Sequence, residues 1–130
     1  VTFEETLYQI LVTDTTLATL CPGGVWHRVI PETVSQTALV YWGNDAEPIV
    51  VKGGQVALVH TTYIVKAVTP EIDPRNAEVA IARVEALLTG AGWHPDLLAC
   101  LPQRRFSYDE IHQSGRYWHV GVEFLVELRA

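Results

Sequence analysis

From Tyr117 to Arg129 every second residue is apolar. Trp118, Val120, Val122, Phe124, Val126 and Leu128 alternate with Tyr117, His119, Gly121, Glu123, Leu125, Glu127 and Arg129. A period of two held over the whole stretch predicts a long antiparallel strand with one face on a core and the other turned outward. The outward set mixes aromatic, aliphatic and charged residues, so that face is not built for water alone. No catalytic motif accompanies the strand, which directs attention to surfaces rather than to an active site.

A second long strand is expected from Gln55 to Val68, with Ala57, Val59, Thr61, Tyr63, Val65 and Ala67 on one face and Val56, Leu58, His60, Thr62, Ile64 and Lys66 on the other. Shorter strands are predicted at Val25–Val29, closed by Pro31, and at Ala38–Trp42, which is apolar throughout. Leu97 to Tyr108 reads as a further strand interrupted near Pro102, which suits an edge or a bulge. Asp109 to Gly115 reads as a polar turn into the last strand.

Helices are marked by their caps. Thr2 with Glu5 three residues on forms a capping-box pattern, and Phe3, Leu7, Ile10 and Leu11 then share one face. Asp14 can cap a second short helix carrying Leu17 and Leu20, ended by Cys21-Pro22-Gly23-Gly24. Asp73-Pro74 opens a third helix with an apolar stripe of Ala77, Ala80, Ile81, Val84, Leu87 and Leu88, and Gly90 stops it. Between Gly43 and Gly54 the chain is irregular: Asn44-Asp45, Pro48 and Gly53-Gly54 surround the apolar patch Ile49-Val50-Val51. We read a long hairpin or a mobile loop there, whose apolar residues need a partner to cover them. The expectation is one domain over residues 1–130, an α+β fold with a mainly antiparallel sheet of four to five strands and two main helices packed on one face.

The 130 residues suffice for one core, and nearly half are apolar, which excludes a disordered chain. No apolar run approaches the roughly eighteen residues of a membrane span, and the first residues enter a helix signal with no secretory pattern, so a cytosolic setting is expected. Cys21 and Cys100 lie far apart without a pair motif and read as buried, reduced thiols. A net charge of −6 argues against sequence-independent phosphate binding.

Candidate chemistry is thin. His27, His60, His94, His112 and His119 show no paired ligand spacing, although His60 and His119 would be neighbours if the two long strands placed them so. The adjacent carboxylates Glu4-Glu5 and Asp109-Glu110 point in different directions on any regular element, which makes poor acid/base pairs. Ser35, Ser107 and Ser114 sit in no nucleophile elbow, and neither Gly23-Gly24 nor Gly53-Gly54 has the lysine and helix of a phosphate loop. No cofactor or metal is expected. Arg104, Arg105 and Arg116 flank the acidic turn beside Phe106 and Tyr108, and a charged inter-subunit contact is favoured over stacking on bases. Four tryptophans, Trp26, Trp42, Trp93 and Trp118, cannot all be buried and suit interfaces.

The layout as a whole resembles the tail-completion and tail-terminator proteins of long-tailed bacteriophages. The likeness rests on the first helix with the Leu-rich turn Thr16–Leu20, the Gly-Val-aromatic strand from Gly24 to Pro31, and the apolar strand ending in Tyr41-Trp42. It continues through the helix opening at Asp73 and rich in Ala, Glu and Leu from Ala77 to Leu88, the Arg-Arg strand from Leu101 to Phe106, and the terminal run from Arg116 to Phe124. The resemblance implies a non-enzymatic virion protein of the tail or neck, assembled in the host cytoplasm. It would form a ring, commonly six-fold, at the head-proximal end of the tail tube, ending tube polymerisation and joining tail to head. Its partners would be copies of itself, the tail-tube protein and the head's connector or stopper, with DNA passing through the lumen without specific binding and no membrane involved. The segment Ile49, Val50, Val51 and Lys52 is the expected contact with a neighbour, and Arg104, Arg105 and Arg116 the expected charged contacts. The rivals are a head-side connector or stopper ring and, from another class, a small metal-binding or hydrolytic domain using His60 and His119.

Overall fold

The computed structural model describes residues 2–44, 46–50, 53–54, 56–112 and 115–129. In chain order these form α1 (Phe3–Thr13), α2 (Thr15–Leu20), β1 (Val25–His27), β2 (Ala38–Gly43), β3 (Glu47–Val50), β4 (Val56–Thr69), α3 (Arg75–Leu88), β5 (Leu97–His112) and β6 (Gly115–Arg129). The six strands make one sheet in the order β1-β2-β4-β6-β5, with β3 also paired to β4, and every pairing but β1 with β2 is antiparallel. The fold class is α+β.

The caps form as their residue types require. Thr2 and Glu5 close a reciprocal capping box on α1, and the Asp14 carboxylate accepts from the Leu17 N–H at the start of α2. At α3 the helix begins at Arg75, one residue later than expected, with Asp73 Oδ1 accepting from the Arg75 N–H at 3.0 Å. The apolar stripe of α3 and Leu7, Leu11 and Leu17 then bury against one face of the sheet, where Leu39, Tyr41, Val65, Ala67, Val120, Val122, Phe124 and Val126 meet them. The alternation in β6 that sorts these residues is the predicted one.

Several boundaries differ from the sequence reading, each for a physical reason. Within the segment expected as a hairpin or loop, Glu47–Val50 is strand: β3 pairs Glu47 with His60 and Ile49 with Leu58, so β2 and β3 run successively along the same side of β4. This raises the sheet to six strands. Pro48 is tolerated because β3 is an edge strand that needs no second partner. Val51 and Lys52 lie outside the described residues. The strand expected through Val29 stops at His27, because Arg28 takes a left-handed φ of 69° and the Val29 N–H donates back to the His27 carbonyl at 2.8 Å. The polar run from Asp109 is strand rather than turn: β5 continues to His112, pairing Asp109 with Trp118, Glu110 with Tyr117 and Ile111 with Arg116. The interruption near Pro102 is present as a register shift between Pro102 and Arg104 on the outer strand β5.

Candidate functional site

The helices cover one face of the sheet and leave the other open. Strand parity and register place Trp42 on β2, Ile64 and Lys66 on β4, Gly121, His119 and Glu123 on β6, and Arg104, Phe106 and Tyr108 on β5 along this open face. Phe106 lies across from Gly121, and a Cβ at that position would fall 2.3 Å from the Phe106 ring, so glycine makes room for the aromatic side chain. Tyr108 stacks on the buried His119 at 4.5 Å and 8°. The Lys66 ammonium donates to the Tyr108 hydroxyl at 3.2 Å and stands 5.5 Å from the centre of the Trp42 ring.

Charges on and around the sheet are matched within the chain. On the open face Arg104 bonds Glu123 at 3.4 Å, His60 approaches Glu127 at 3.1 Å and His119 approaches Glu110 at 3.2 Å. On the helical side the Arg105 guanidinium reaches Glu85 of α3, with Nε to Oε1 at 2.9 Å, and Arg116 Nε donates to Asp109 at 2.9 Å. All three arginines singled out in the sequence therefore hold carboxylates of their own chain, and an inter-subunit role would have to be shared with these pairs. His27 meets Glu4 at 2.7 Å and stacks on Tyr41, at the other side of the molecule.

The idea of a histidine pair is overturned by the register. His60 lies opposite Glu127, whereas His119 lies opposite Val68, eight positions further along β4, which is roughly 26 Å of strand. Among the described residues no three His, Cys, Asp or Glu side chains converge in a way that could hold a metal ion. Cys21 and Cys100 are free and buried, and burial pushes both thiols up to about 12, which leaves them protonated near neutral pH and poor nucleophiles.

One ion pair ties the helical layer together. Arg83 of α3 donates to both oxygens of Asp14, at 3.1 and 2.7 Å, while Asp14 also caps α2. The bond to Arg83 holds the Asp14 carboxyl below its ordinary value, against the opposing effect of burial, and the bond to Arg105 does the same for Glu85. A carboxylate with a depressed folded-state pKa adds stability above its unfolded value and loses it as pH falls through the folded value. Thermal stability should therefore fall on acidification from below about pH 4. Asp14→Asn, which retains a capping oxygen, should show a shallower fall in melting scans taken across that range.

Two further surface features lie at opposite ends of the sheet. At one end the β3–β4 hairpin presents Val50, 60% exposed, beside half-buried Ile49. At the other end a groove of about 620 Å³ opens between the open face and the returning chain from β1 to β2. Its floor includes Ala38, Val68, Glu110 and Tyr117, and its wall Ile30, Pro31 and Val34. Nearby stand Ile72, 96% exposed, and Ile111, 78% exposed. The sequence singled out the first of these features and not the second. The groove depends on a loop over residues 28–37 and on a parallel strand pair, neither of which has a periodic signature.

No protein-family model matches this sequence, and no curated protein matches it. Among solved structures, a chain of the "Virion of native gene transfer agent (GTA) particle" shares the fold, with a TM-score of 0.78 and 20% sequence identity over 98% of this chain and 95% of that one. The shared architecture therefore extends over both chains almost completely.

Proposed function

We propose that this chain is a structural protein of a phage-like virion, a ring-forming subunit at the head-proximal end of a tail tube that ends tube polymerisation and joins tail to head. The observation that carries the reading is the near-complete fold match to a chain of a gene transfer agent virion. The tail-terminator-like layout of the sequence supplies the more specific role. The surface agrees with assembly: Arg104 and Glu123 pair on the open face, the thiols are buried, and the exposed Val50 lies far from the groove under the β1–β2 return. A subunit with two different patches can join head to tail with its copies, and such contacts close into a ring when the rotation allows. Ring partners would be the tube protein on one side and a connector or stopper on the other. The net charge of −6 suits a conduit that DNA must traverse without sticking.

The test is tail length in lysates of a particle lacking this gene, viewed by negative-stain electron microscopy. Overlong or variable tails detached from filled heads are the expected result. Tails of normal length beside heads that have lost their DNA would move the protein to the head side of the joint, and intact infectious particles would defeat the structural reading.

A further inference from the structure

Resting on the ring reading above, we infer that neighbouring copies meet side by side, the β1 edge of one subunit seated against the β5 edge of the next. β1 and β5 are the outer strands of the path β1-β2-β4-β6-β5. The register carries two rows straight across it. Trp26 pairs with Val40, Val40 with Lys66, Lys66 with Gly121 and Gly121 with Phe106. One step along, His27 pairs with Tyr41, Tyr41 with Val65, Val65 with Val122 and Val122 with Arg105. At one level of the sheet the open face therefore ends in Trp26 on one edge and Phe106 on the other, and the helical face ends in His27 and Arg105. Four strand spacings, roughly 19 Å, separate the two edges, so a single subunit cannot bring them together. Two different edges that match form a heterologous contact, in which each copy both gives and receives.

Charge and shape agree with a second copy as the occupant. Beside β1, on the helical side, lies a cleft of about 630 Å³ whose lining includes Glu4, Glu5, Tyr8, His27 and Tyr41. Carboxylates between aromatic walls suit a guanidinium, which bonds the former and stacks on the latter. The β5 edge supplies one. The Arg105 side chain is 52% exposed, and its pair with Glu85 occupies Nε and Nη2, which leaves Nη1 for another carboxylate. On the open face Trp26, held by its Nε1–H on the Gly23 carbonyl at 2.8 Å, meets the exposed Tyr108 ring that stacks beside Phe106. In a chain of net charge −6 most approaches between copies bring like charges together, whereas this one sets acid against arginine. β3 runs along the same side of β4 as β2, so the exposed Val50 lies on the β1 flank as well.

The test uses Trp26→Cys and Tyr108→Cys, prepared as separate proteins. Both positions are exposed, while both native thiols are buried and so resist short bismaleimide reagents. Assembled mixtures of the two variants should yield a cross-linked dimer that neither variant gives alone, and Trp26→Cys mixed with Val79→Cys, on the exposed side of α3, should give none. A link formed by either variant alone would mean that like edges meet, and would overturn the heterologous contact. Rings that form by native mass spectrometry yet yield no link between positions 26 and 108 would overturn it too and leave the ring reading standing. An unsubstituted chain that stays monomeric at every concentration would overturn the ring reading and this contact with it. Independently of cysteine chemistry, Glu4→Arg and Arg105→Glu should each shift the chain from ring to monomer with an unchanged circular dichroism spectrum, and the double exchange should restore the ring. Glu4 bonds His27 on the edge opposite Arg105, so restoration can arise only between copies. A double variant that stays monomeric would overturn the charge match.

Discussion

Val50→Asp is expected to leave a folded monomer that no longer assembles. In the isolated subunit Val50 is 60% exposed on the edge strand β3, so its side chain contributes little to the core. Surface substitutions of this kind change folding stability by about 0.5 kcal/mol or less. At an interface the same change behaves differently. A carboxylate carried into an apolar contact without a partner loses hydration that nothing replaces, at a cost of several kcal/mol. Each 1.4 kcal/mol is about a factor of ten in association, so the affinity of a single contact should drop by a hundredfold or more. In a closed ring every contact carries the lesion, and the penalties accumulate around the circle. Size-exclusion chromatography with light scattering should report the monomer mass, and circular dichroism an unchanged fold. A variant that assembles as the native chain does would remove the hairpin from the interface.

The elements whose signal is local were legible in the sequence. Thr2 with Glu5 and Asp14 announce their helix starts because a capping oxygen needs only an N–H three residues away. The alternation along β4 and β6 announces two half-buried strands because parity alone sorts their side chains. What the sequence concealed depends on pairing between distant segments. Pro48 and the surrounding glycines hid β3, since the rule against proline in strands relaxes at an edge. Asp109, Glu110 and Ile111 read as a turn, yet the register of β6 draws them into a ladder in which Arg116 and His119 bond the two carboxylates. Gly121 looked like one more outward residue, and its role under Phe106 emerges only from their pairing. The histidine hypothesis failed for the same reason: the register, which no composition reveals, sets His60 and His119 far apart. Of the candidate site, the hairpin was visible as an apolar run in a turn-rich segment. The groove was not, because its walls come from an irregular loop closing over β2 and β4.

Phe124→Ala should be the most destabilising of the single core truncations along β6. Phe124 is 1% exposed and is the largest fully buried side chain in the described core. It lies on a strand flanked on both sides, opposite Tyr63 on β4 and Pro102 on β5, with the helical layer above. Close packing on every side prevents neighbouring groups from collapsing into the space the ring vacates. The cost then includes the lost transfer energy and an unfilled cavity, about 3–5 kcal/mol for a phenylalanine truncated in a core. A domain of this size is stable by about 5–15 kcal/mol in total, so the variant should melt on the order of 10–20 °C lower and populate unfolded chains measurably. The neighbouring Leu125 supplies the control. It differs by one position, points to the open face and is half-buried, so Leu125→Ala should cost clearly less in the isolated subunit. Chemical denaturation of both variants measures the difference. Equal losses would mean that the open face is packed as tightly as the helical one. A small loss at Leu125 in the monomer that grows once the protein is assembled would instead show that this face, too, is covered by a neighbour.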